Sequence, residues 1–335
     1  MSRKDDHILF AYQQEERTND FDKVRFEPVS LPKLSYDEID CSTSLGNHRF
    51  EYPIYINAMT GGTDKAYEIN QKLAVIAKTF GLPIATGSLS IALKDDTKKD
   101  SFQVIRQTFE DGFVIANIGV SKSPEGAQKA IDIVQANALQ VHLNAPQEMM
   151  MPEGERDFSC WGKNLQKIIE YVNVPVIIKD VGFGISLKSA ETLKALGATI
   201  IDVSGKGGTN FIEVENKRRA VPLTAFEHYG FSTVEALLEM KSLKDVTILA
   251  SGGIRNPYDV IKALALGAKA VGLSGFFLKL VMDHPIDRAL ELTQIFLEDI
   301  KKIMTVLDAK DIKSLQQKKL IFDHTLLAFI AQQKN

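Results

Sequence analysis

Cysteine is scarce in this chain: Cys41 and Cys160 are the only two in 335 residues. They lie far apart and show no spacing typical of metal ligands, which excludes a disulfide-stapled scaffold and a cysteine–zinc module. No hydrophobic run approaches the roughly 20 residues needed to cross a bilayer, and the charged N-terminus lacks the apolar segment of a signal peptide. These absences predict a cytoplasmic protein with reduced thiols and no membrane partner.

An excess of charge of one sign is also missing, since the formal net charge is only −3. This balance gives no electrostatic reason to expect nucleic acid or an anionic membrane as the main partner. Hydrophobic residues make up 44% of the chain and charged residues 25%, values that are ordinary for a folded protein and argue against disorder. The length allows one large domain or two of average size.

Eight short β-rich segments recur along the chain. Most of them are continuous apolar runs rather than alternating ones, which is typical of parallel strands covered on both faces. The eight begin at Pro53, Pro83, Phe113, Leu139, Val174, Thr199, Val246 and Ala270.

Helical patterns separate these strands. The clearest cover residues 64–80, 123–137, 186–197 and 256–267. In the last of them Asn256 and Pro257 suit the first turn and Gly267 suits the end. Strand and helix alternating eight times predict an α/β fold of the (β/α)₈ TIM-barrel type. An open doubly wound sheet is the alternative, but it usually has fewer units and one glycine-rich fingerprint, whereas glycines here follow nearly every strand.

The chain outside the barrel is predicted from weaker signals. We interpret residues 1–335 as a single domain, with an N-terminal arm and hairpin over 1–52, a barrel core over 53–280 and C-terminal helices over 281–335. Residues 1–35 look irregular, and a hairpin turning at Gly46-Asn47 follows, which is able to cover the bottom of the barrel. The long connection 206–232 is either an enlarged loop over the active face or an interface element.

In a barrel the functional groups lie on the loops that follow the strands. The fourth strand ends in "HLNAPQE", which places His142, Asn144, Gln147 and Glu148 at and beyond the end of a buried strand. Burying a polar group without a partner costs on the order of 2–7 kcal/mol. We therefore expect a polar ligand at this end of the barrel.

The loops after the seventh and eighth strands have the features of a phosphate site. Gly252, Gly253, Ser274 and Gly275 are small enough for the backbone N–H groups to approach an anion closely. Barrels commonly bind phosphate with these two loops. Tight turns alone also explain the glycines, but two such loops at the expected places favour phosphate.

Lys179 ends the fifth strand inside an apolar run. A buried lysine needs an anionic or electron-rich partner, or its pKa falls. Asp180 is a poor partner because adjacent residues of a strand point to opposite faces. An aromatic cofactor that carries negative charge when reduced suits Lys179 better than a structural ion pair.

Taken together, these motifs resemble one known family, the type 2 isopentenyl-diphosphate delta-isomerases, which are flavin-dependent barrels. The resemblance runs in order from Arg3 to about Gly275 and rests on "RKDDH", "AMTGG", "TGSLS", "ANIG", "HLNAPQE", "IKDVGFGIS", "SGKGGT" and "SGGIR". The combination of the N-terminal motif with "HLNAPQE" is specific, whereas GGxR alone is shared by many FMN barrels. Asp180 stands where the family often has Glu, and Lys206 where a small residue is common.

The resemblance implies that FMN lies at the C-terminal face of the barrel. Its contacts would be Ala58, Met59, Thr60, Ser88, Asn117, Lys179, Ser204, Thr209, Gly253, Ile254, Arg255, Ser274 and Gly275. Lys179 would lie near the electron-rich edge of the flavin ring, where positive charge stabilises the reduced form. The last five residues would hold the FMN phosphate.

The implied substrate is isopentenyl diphosphate, isomerised to dimethylallyl diphosphate with reduced FMN. Its contacts would be Arg3, Lys4, His7, Ser88, Leu89, Ser90, His142, Asn144 and Gln147. Gln147 would be the catalytic residue and Glu148 would hold Mg²⁺ on the diphosphate. For His142, a hydrogen-bonded core histidine remains an equal alternative. Family habit adds NADPH as the reductant and a homotetramer or larger homo-oligomer.

Three rival functions are open to the same fold. An FMN-dependent 2-hydroxy-acid oxidase needs a histidine base near the end of strand six, where this chain has Lys206 and Asn210 but no histidine. A barrel resembling inosine-monophosphate dehydrogenase would need a cysteine there, and none is present. A non-catalytic sensor of a phosphate ligand would need neither the metal-binding carboxylate nor the cationic arm.

Overall fold

The structure is a computed structural model that describes residues 3–14 and 18–333, with side chains from residue 8 onward. The N-terminal part contains helix α1 (Arg3–Gln13), strand β1 (Val24–Phe26) and a hairpin of β2 (Thr43–Leu45) and β3 (His48–Phe50). The hairpin turns at Gly46-Asn47, as predicted, with Gly46 at φ +56°.

Eight parallel strands form a closed barrel. They are β4 (Ile54–Ile56), β5 (Ile84–Ala85), β6 (Val114–Gly119), β7 (Ala138–His142), β8 (Val176–Lys179), β9 (Ile200–Asp202), β10 (Thr247–Ser251) and β11 (Ala270–Leu273). Each strand pairs with the next one along the chain, and β11 pairs with β4 to close the ring. The predicted α/β fold of the TIM-barrel type is therefore confirmed, and every predicted strand is present.

Helices surround the barrel and extend beyond it. Between the barrel strands lie α2 (Asp64–Phe80), α3 (Asp100–Thr108), α4 (Pro124–Val134), α5 (Ala145–Met150), α6 (Trp161–Tyr171), α7 (Leu187–Ala195), α8 (Phe211–Asn216), α9 (Thr233–Glu239) and α10 (Pro257–Ala265). After the barrel come α11 (Gly275–Asp283), α12 (Ile286–Val306), α13 (Ile312–Leu315), strand β12 (Leu320–Phe322) and α14 (His324–Gln332). Within the described ranges, no helix has the length and apolarity to cross a membrane.

Local sequence signals account for where the helices begin. The side chain of Asn256 accepts a hydrogen bond from the N–H of Asp259, and Pro257 occupies the first turn of α10, as predicted. Helix α2 starts with Thr63 as its cap and ends at Gly81, whose left-handed conformation, φ +62°, suits glycine.

The barrel interior has an apolar lower layer and a polar upper layer. The lower layer contains Tyr55, Ile115, Ala138, Ile177, Ile200 and Leu249. Two residues further along the same strands, the buried side chains are Asn57, Asn117, Gln140, Lys179, Asp202 and Ser251. Side chains two apart share a face of a strand, so one register positions both layers.

The bottom of the barrel is covered by the β2–β3 hairpin. The ring of Phe50 meets the edge of Phe113, which precedes β6, with centroids 5.2 Å apart. The hydroxyl of Thr43 donates to the carbonyl of Lys269, just before β11, at 2.8 Å. These contacts agree with the predicted position of the hairpin.

The two ends of the chain differ from the prediction. Residues 1–35 are not irregular throughout, because they contain α1 and β1. The C-terminal segment is not purely helical, because β12 pairs antiparallel with β1, with Val24 opposite Phe322. A three-residue strand with a partner almost 300 residues away leaves no local periodic signal. The proposed division into arm, core and C-terminal segment stays a prediction.

Candidate active site

A cavity of about 1600 Å³ opens at the C-terminal ends of the barrel strands. All of the predicted FMN contacts line it, from Ala58 on the first barrel loop to Gly275 on the last. Among the predicted substrate and metal residues, those that line it are Ser88, Ser90, His142, Asn144, Gln147 and Glu148. The fold thus brings together residues that are up to about 220 positions apart in the sequence.

Leu89 does not lie with the other predicted substrate residues. Its side chain is fully buried in the hydrophobic core, and its N–H donates to the carbonyl of Asn117 at 2.8 Å. The predicted contact of Leu89 with substrate is therefore wrong for its side chain. Ser88 and Ser90 flank it on the cavity side, with their hydroxyl oxygens 3.0 Å apart.

The predicted contacts of Arg3, Lys4 and His7 lie outside the described side chains. The rest of α1 reaches the cavity wall, where Ile8, Ala11 and Gln14 are among the lining residues. The side-chain amide of Gln14 accepts from the N–H of Asn210 at 3.0 Å and donates to its carbonyl at 3.2 Å. Helix α1 therefore lies beside the mouth of the barrel.

One end of the cavity has the features of an anion site. Helix α11 begins there at Gly275, and no side chain caps its first turn. A Cβ atom built on Gly275 would meet nothing within 4 Å, so its surroundings are open. The free N–H groups and the dipole of a helix N-terminus favour a phosphate at this position.

The glycines of the neighbouring loops have a packing role. A Cβ atom on Gly253 would lie 2.5 Å from the backbone of Gly207, and one on Gly208 would lie 2.8 Å from the nitrogen of Gly253. Both distances are too short for any side chain. The two loops therefore need these glycines to meet, which brings their backbones together beside the start of α11.

Thr60 supplies an unsatisfied polar atom on the cavity wall. Its hydroxyl is buried and has no hydrogen-bond partner in the described part of the chain. A buried hydroxyl without a partner is unfavourable. This orphaned group is consistent with a polar ligand that completes the site.

Arg255, predicted as a phosphate contact, has two carboxylate partners. Its guanidinium contacts Asp22 at 2.6 Å and Asp259 at 2.8 Å. Hydrogen bonds to Asp22 and then Asp259 raise the pKa of Arg255 above its ordinary value. These two carboxylates compensate its charge, so Arg255 anchors the glycine loop; it also lines the cavity, and its contact with the FMN phosphate stays a prediction.

The turn at Asn19–Asp22 holds this loop from outside. The side-chain amide of Asn19 donates to the carbonyl of Gly253 at 2.7 Å. Asp22 adds the ion pair with Arg255, and the buried ring of Phe21 fixes the turn to the core. No sequence motif indicated this support.

Lys179 is buried at the end of β8. Its ammonium group donates to the carbonyl of Asp180 and to the hydroxyl of Ser204. Burial lowers the pKa of Lys179, and the charge of Asp202 opposes that change. The carboxylate of Asp180 instead accepts from the N–H groups of Val181 and Phe183, so it is held within its own loop.

The polar end of β7 is a hydrogen-bonded cluster. The side-chain amide of Gln147 donates to Glu215 at 3.2 Å, and both side chains are buried. Glu148 accepts from the amide of Asn144 at 2.8 Å and from the N–H of Glu155 at 2.9 Å. Glu148 is therefore held in one orientation on the cavity wall.

Two carboxylates that contact cavity-lining residues were not predicted from the sequence. Glu215 lies on α8, inside a connection that carries no motif, and it also pairs with Arg218 at 2.7 Å. Asp202 ends β9 and accepts from Tyr55 and Ser251. The alternation of strand residues would have found Asp202, because it shares the interior face with Ile200, whereas nothing local indicated Glu215.

The comparisons with known proteins agree with this geometry. A family model described as FMN-dependent dehydrogenase matches residues 107–322. The isopentenyl-diphosphate delta-isomerase of Staphylococcus haemolyticus is 46% identical over 98% of this chain and 95% of its own. The protein of the same name from Staphylococcus saprophyticus is 44% identical over 98% and 96%.

The chain belongs to the FMN-dependent isopentenyl-diphosphate delta-isomerase family. Solved structures show how widely the fold of this isomerase family is shared. A flavocytochrome b2 variant superposes with a TM-score of 0.69 at 18% identity, over 97% of this chain and 84% of that one. A mandelate oxidase variant gives 0.65 at 18% identity, over 95% and 90%. At such identities the likeness concerns the fold alone.

FMN is the cofactor that membership of this isomerase family supports. The residues present fit it, because the open start of α11 suits its phosphate and the orphaned hydroxyl of Thr60 offers a further hydrogen bond. The individual contacts predicted for FMN stay predictions.

If the Asn19–Asp22 turn supports the phosphate loop, the Asp22→Asn variant will bind FMN about two- to fivefold more weakly. The reason is the loss of a partly exposed ion pair to Arg255, which is worth at most about 1 kcal/mol. The dissociation constant is measured from the quenching of FMN fluorescence. Asp20→Asn is the matched control, since it removes an ion pair to Lys23 in the same turn. Equal weakening in both variants would contradict the role of Asp22.

Proposed function

We propose that this protein interconverts isopentenyl diphosphate and dimethylallyl diphosphate with reduced FMN. The observation that carries the proposal is Gln147 on the wall of the cavity, whose amide donates to the buried carboxylate of Glu215, next to the oriented carboxylate of Glu148. This arrangement occurs in a chain that is 46% identical to a protein of that name. In this proposal Gln147 and Glu215 handle the proton and Glu148 holds the metal.

The diphosphate end of the substrate requires cations and hydrogen-bond donors. Ser88 and Ser90 line the cavity and carry hydroxyl donors, and Asn144 and His142 line the same cavity at the polar end of β7. Arg3, Lys4 and His7 complete the proposed set from α1, whose later residues line the same cavity. His142 acts in this proposal as a substrate contact, for which the sequence had left a core role equally open.

Mg²⁺ is proposed to enter with the diphosphate. In the described part of the chain, no group of three or more histidine, cysteine, aspartate or glutamate side chains is arranged to hold a metal ion. Mg²⁺ commonly takes one or two carboxylates and completes its shell with phosphate oxygens and waters. Glu148 fits as that carboxylate, because each of its oxygens accepts one hydrogen bond and keeps a lone pair for the ion.

The reaction adds one proton at C4 of the substrate and removes one at C2, with no net oxidation. An amide such as Gln147 is a weak acid by itself, so the buried carboxylate of Glu215 is the group that gives the pair proton-transfer capacity. Gln147 would relay or position the proton between Glu215 and the hydrocarbon end. Reduced FMN, when bound, would supply an acid–base nitrogen and an electron-rich face that stabilises positive charge.

The environment of the reaction remains proposed in three respects. NADPH is the proposed cellular reductant, the cytoplasm is the proposed compartment, and a homotetramer or larger homo-oligomer is the proposed assembly.

The connection 206–232 contributes Gly207, Thr209 and Phe211 to the cavity wall, which supports its interpretation as an enlarged loop over the active face.

The oxidase alternative gains no support from the site. The side chain of Lys206 donates to the carbonyl of His228, and that of Asn210 caps α8. Neither provides the base that oxidation of a hydroxy acid requires. A sensor without catalysis leaves the buried Gln147–Glu215 pair and the oriented Glu148 without a use.

Anaerobic turnover of isopentenyl diphosphate tests the proposal directly. With Mg²⁺ present, we expect dimethylallyl diphosphate to form when the flavin is reduced by dithionite or NADPH, and not when it is oxidised. Oxygen consumption with a 2-hydroxy acid, together with no isomerisation, would instead assign the chain to the oxidase class. No turnover of either substrate would favour the sensor.

Replacing Gln147 by Asn shortens the side chain by one methylene group and moves its amide away from Glu215. We expect kcat to fall by about 10²–10⁴-fold, the range for a lost proton-transfer group, with a smaller change in KM. Glu215→Gln should lower kcat as well, because its charge is lost. Gln128→Asn on α4, where the amide contacts only Asp132, is the control. An unchanged kcat in Gln147→Asn would remove this role.

Replacing Glu148 by Gln should raise the Mg²⁺ concentration needed for half-maximal activity at least tenfold, the equivalent of about 1.4 kcal/mol for a lost charged contact. Activity is titrated with Mg²⁺ at saturating substrate. Glu155→Gln is the control, because its side chain contacts Trp161 and its N–H still reaches Glu148. Superimposable titrations of Glu148→Gln and wild type would exclude Glu148 as the metal ligand.

A further inference from the structure

A continuous chain of side-chain hydrogen bonds crosses the polar layer of the barrel. The amide of Asn57 contacts Asp202 at 3.4 Å, and Gln140 contacts Asn57 at 3.2 Å. Asn117 contacts Gln140 at 3.2 Å, and the Nδ1 atom of His142 lies 2.7 Å from the amide oxygen of Asn117. The chain thus joins the buried carboxylate of Asp202 to a ring on the cavity wall.

The polarity of this chain is set at its buried end. An ionised carboxylate can only accept hydrogen bonds, so Asn57 must turn its NH₂ group toward Asp202. A second hydrogen bond of Asn57 independently requires the same orientation of its amide. Its oxygen accepts from the main-chain N–H of Ala58 at 2.8 Å, and a main-chain N–H can only donate. Both neighbours therefore fix one orientation of the Asn57 amide.

This orientation passes through two further amides. Because the oxygen of Asn57 faces Gln140, Gln140 must donate with its NH₂ group and present its own oxygen to Asn117. Asn117 then donates to that oxygen and presents its oxygen to His142. Gln140 is fully buried and Asn117 nearly so, which leaves little water to exchange these partners.

We propose that Asp202, acting through this chain, holds the proton of the neutral His142 ring on Nδ1. An amide oxygen accepts and does not donate, so the nitrogen that faces Asn117 must carry the hydrogen. The neutral ring then keeps its lone pair on Nε2. Asp202 is a positioning residue in this proposal, since it lies two strands away from His142, beyond β8.

The tautomer decides what the ring can do at the cavity wall. A neutral ring in this form can take up a proton at Nε2 but has none to give there. It can donate from Nε2 to a diphosphate oxygen only as the imidazolium. This consequence rests on the proposed function, whereas the tautomer itself is a property of the resting protein.

Nitrogen NMR of the FMN-loaded protein, labelled with ¹⁵N-histidine and free of substrate, tests the assignment. The protein has six histidines, and the His142 signals are those lost in His142→Gln. At a pH where the ring is neutral, we expect Nδ1 to resonate as a protonated ring nitrogen and Nε2 as an unprotonated one. In Asp202→Asn the orientation of Asn57 loses the carboxylate and is held only by the N–H of Ala58, so a measurable fraction of His142 should shift to the Nε2-protonated form.

Two further variants separate positioning from general damage. Gln140→Met breaks the hydrogen-bond chain in its middle with a side chain of similar length, so it should also populate the second tautomer. It provides the test if Asp202→Asn does not fold. Tyr55→Phe removes another hydrogen bond to Asp202, at 2.8 Å, without touching the chain, and should leave the tautomer unchanged.

The proposal is overturned if the wild-type ring carries its proton on Nε2, or if neither Asp202→Asn nor Gln140→Met alters the tautomer. A shift in Tyr55→Phe as large as in Gln140→Met would also overturn it. Isomerase activity is not needed for any of these spectra. A protein that fails to isomerise but shows the expected tautomer would contradict the proposed function and support the role of Asp202.

Discussion

The enclosure of polar side chains inside a closed barrel is the constraint on which the rest of the site depends. Strand alternation sends every second side chain inward, so the upper layer of the barrel must hold whatever polar groups face the mouth. Water has little access there, and each donor has to find an acceptor within the layer. Asp202 meets this requirement at the centre, where it accepts from the hydroxyls of Tyr55 and Ser251 and from the N–H of Ser204. Lys179 belongs to the same layer, and Thr60 lies on the cavity wall. The buried hydroxyl of Thr60 has no hydrogen-bond partner in the described part of the chain.

The barrel and its connections divide the tasks of the site. Strand ends supply rigid groups such as Lys179 and His142, whose positions are fixed by the register of neighbouring strands. The short helix α5 and helix α8 bring in Gln147, Glu148 and Glu215, which are the groups proposed to handle the proton and the metal. The glycine loops supply backbone rather than side chains at the anion end. A mandelate oxidase variant shares this fold at 18% identity, so the barrel by itself does not decide which groups its connections carry.

The sequence predicted those parts of the molecule that repeat or that lie next to a motif. The eight strands were predictable because most of them are continuous apolar runs, and α10 was predictable because Asn256 and Pro257 mark its start. Contacts between residues that are far apart in the sequence were not predictable. Arg255 was expected at the phosphate, but its partner Asp22 lies over 230 residues earlier and could not be seen. Leu89 was predicted as a substrate contact because it lies in the motif "TGSLS". The burial of its side chain depends on how the loop after β5 packs, which the motif does not indicate. Glu215 escaped because it is one of three glutamates in the connection 206–232, and no local pattern distinguishes it from the other two.

The pairing of β1 with β12 has a consequence for how the protein is made. Strand β1 leaves the ribosome early, but its partner follows about 300 residues later, which takes roughly 15–60 s at about 5–20 residues per second. The turn at Asn19–Asp22 immediately precedes β1, and the carbonyl of Lys23 accepts from the N–H of Asp323 just after β12. The strand that follows this turn therefore gains its partner only when translation is nearly finished. A nascent chain that has already closed its barrel still lacks the pairing of β1 with β12.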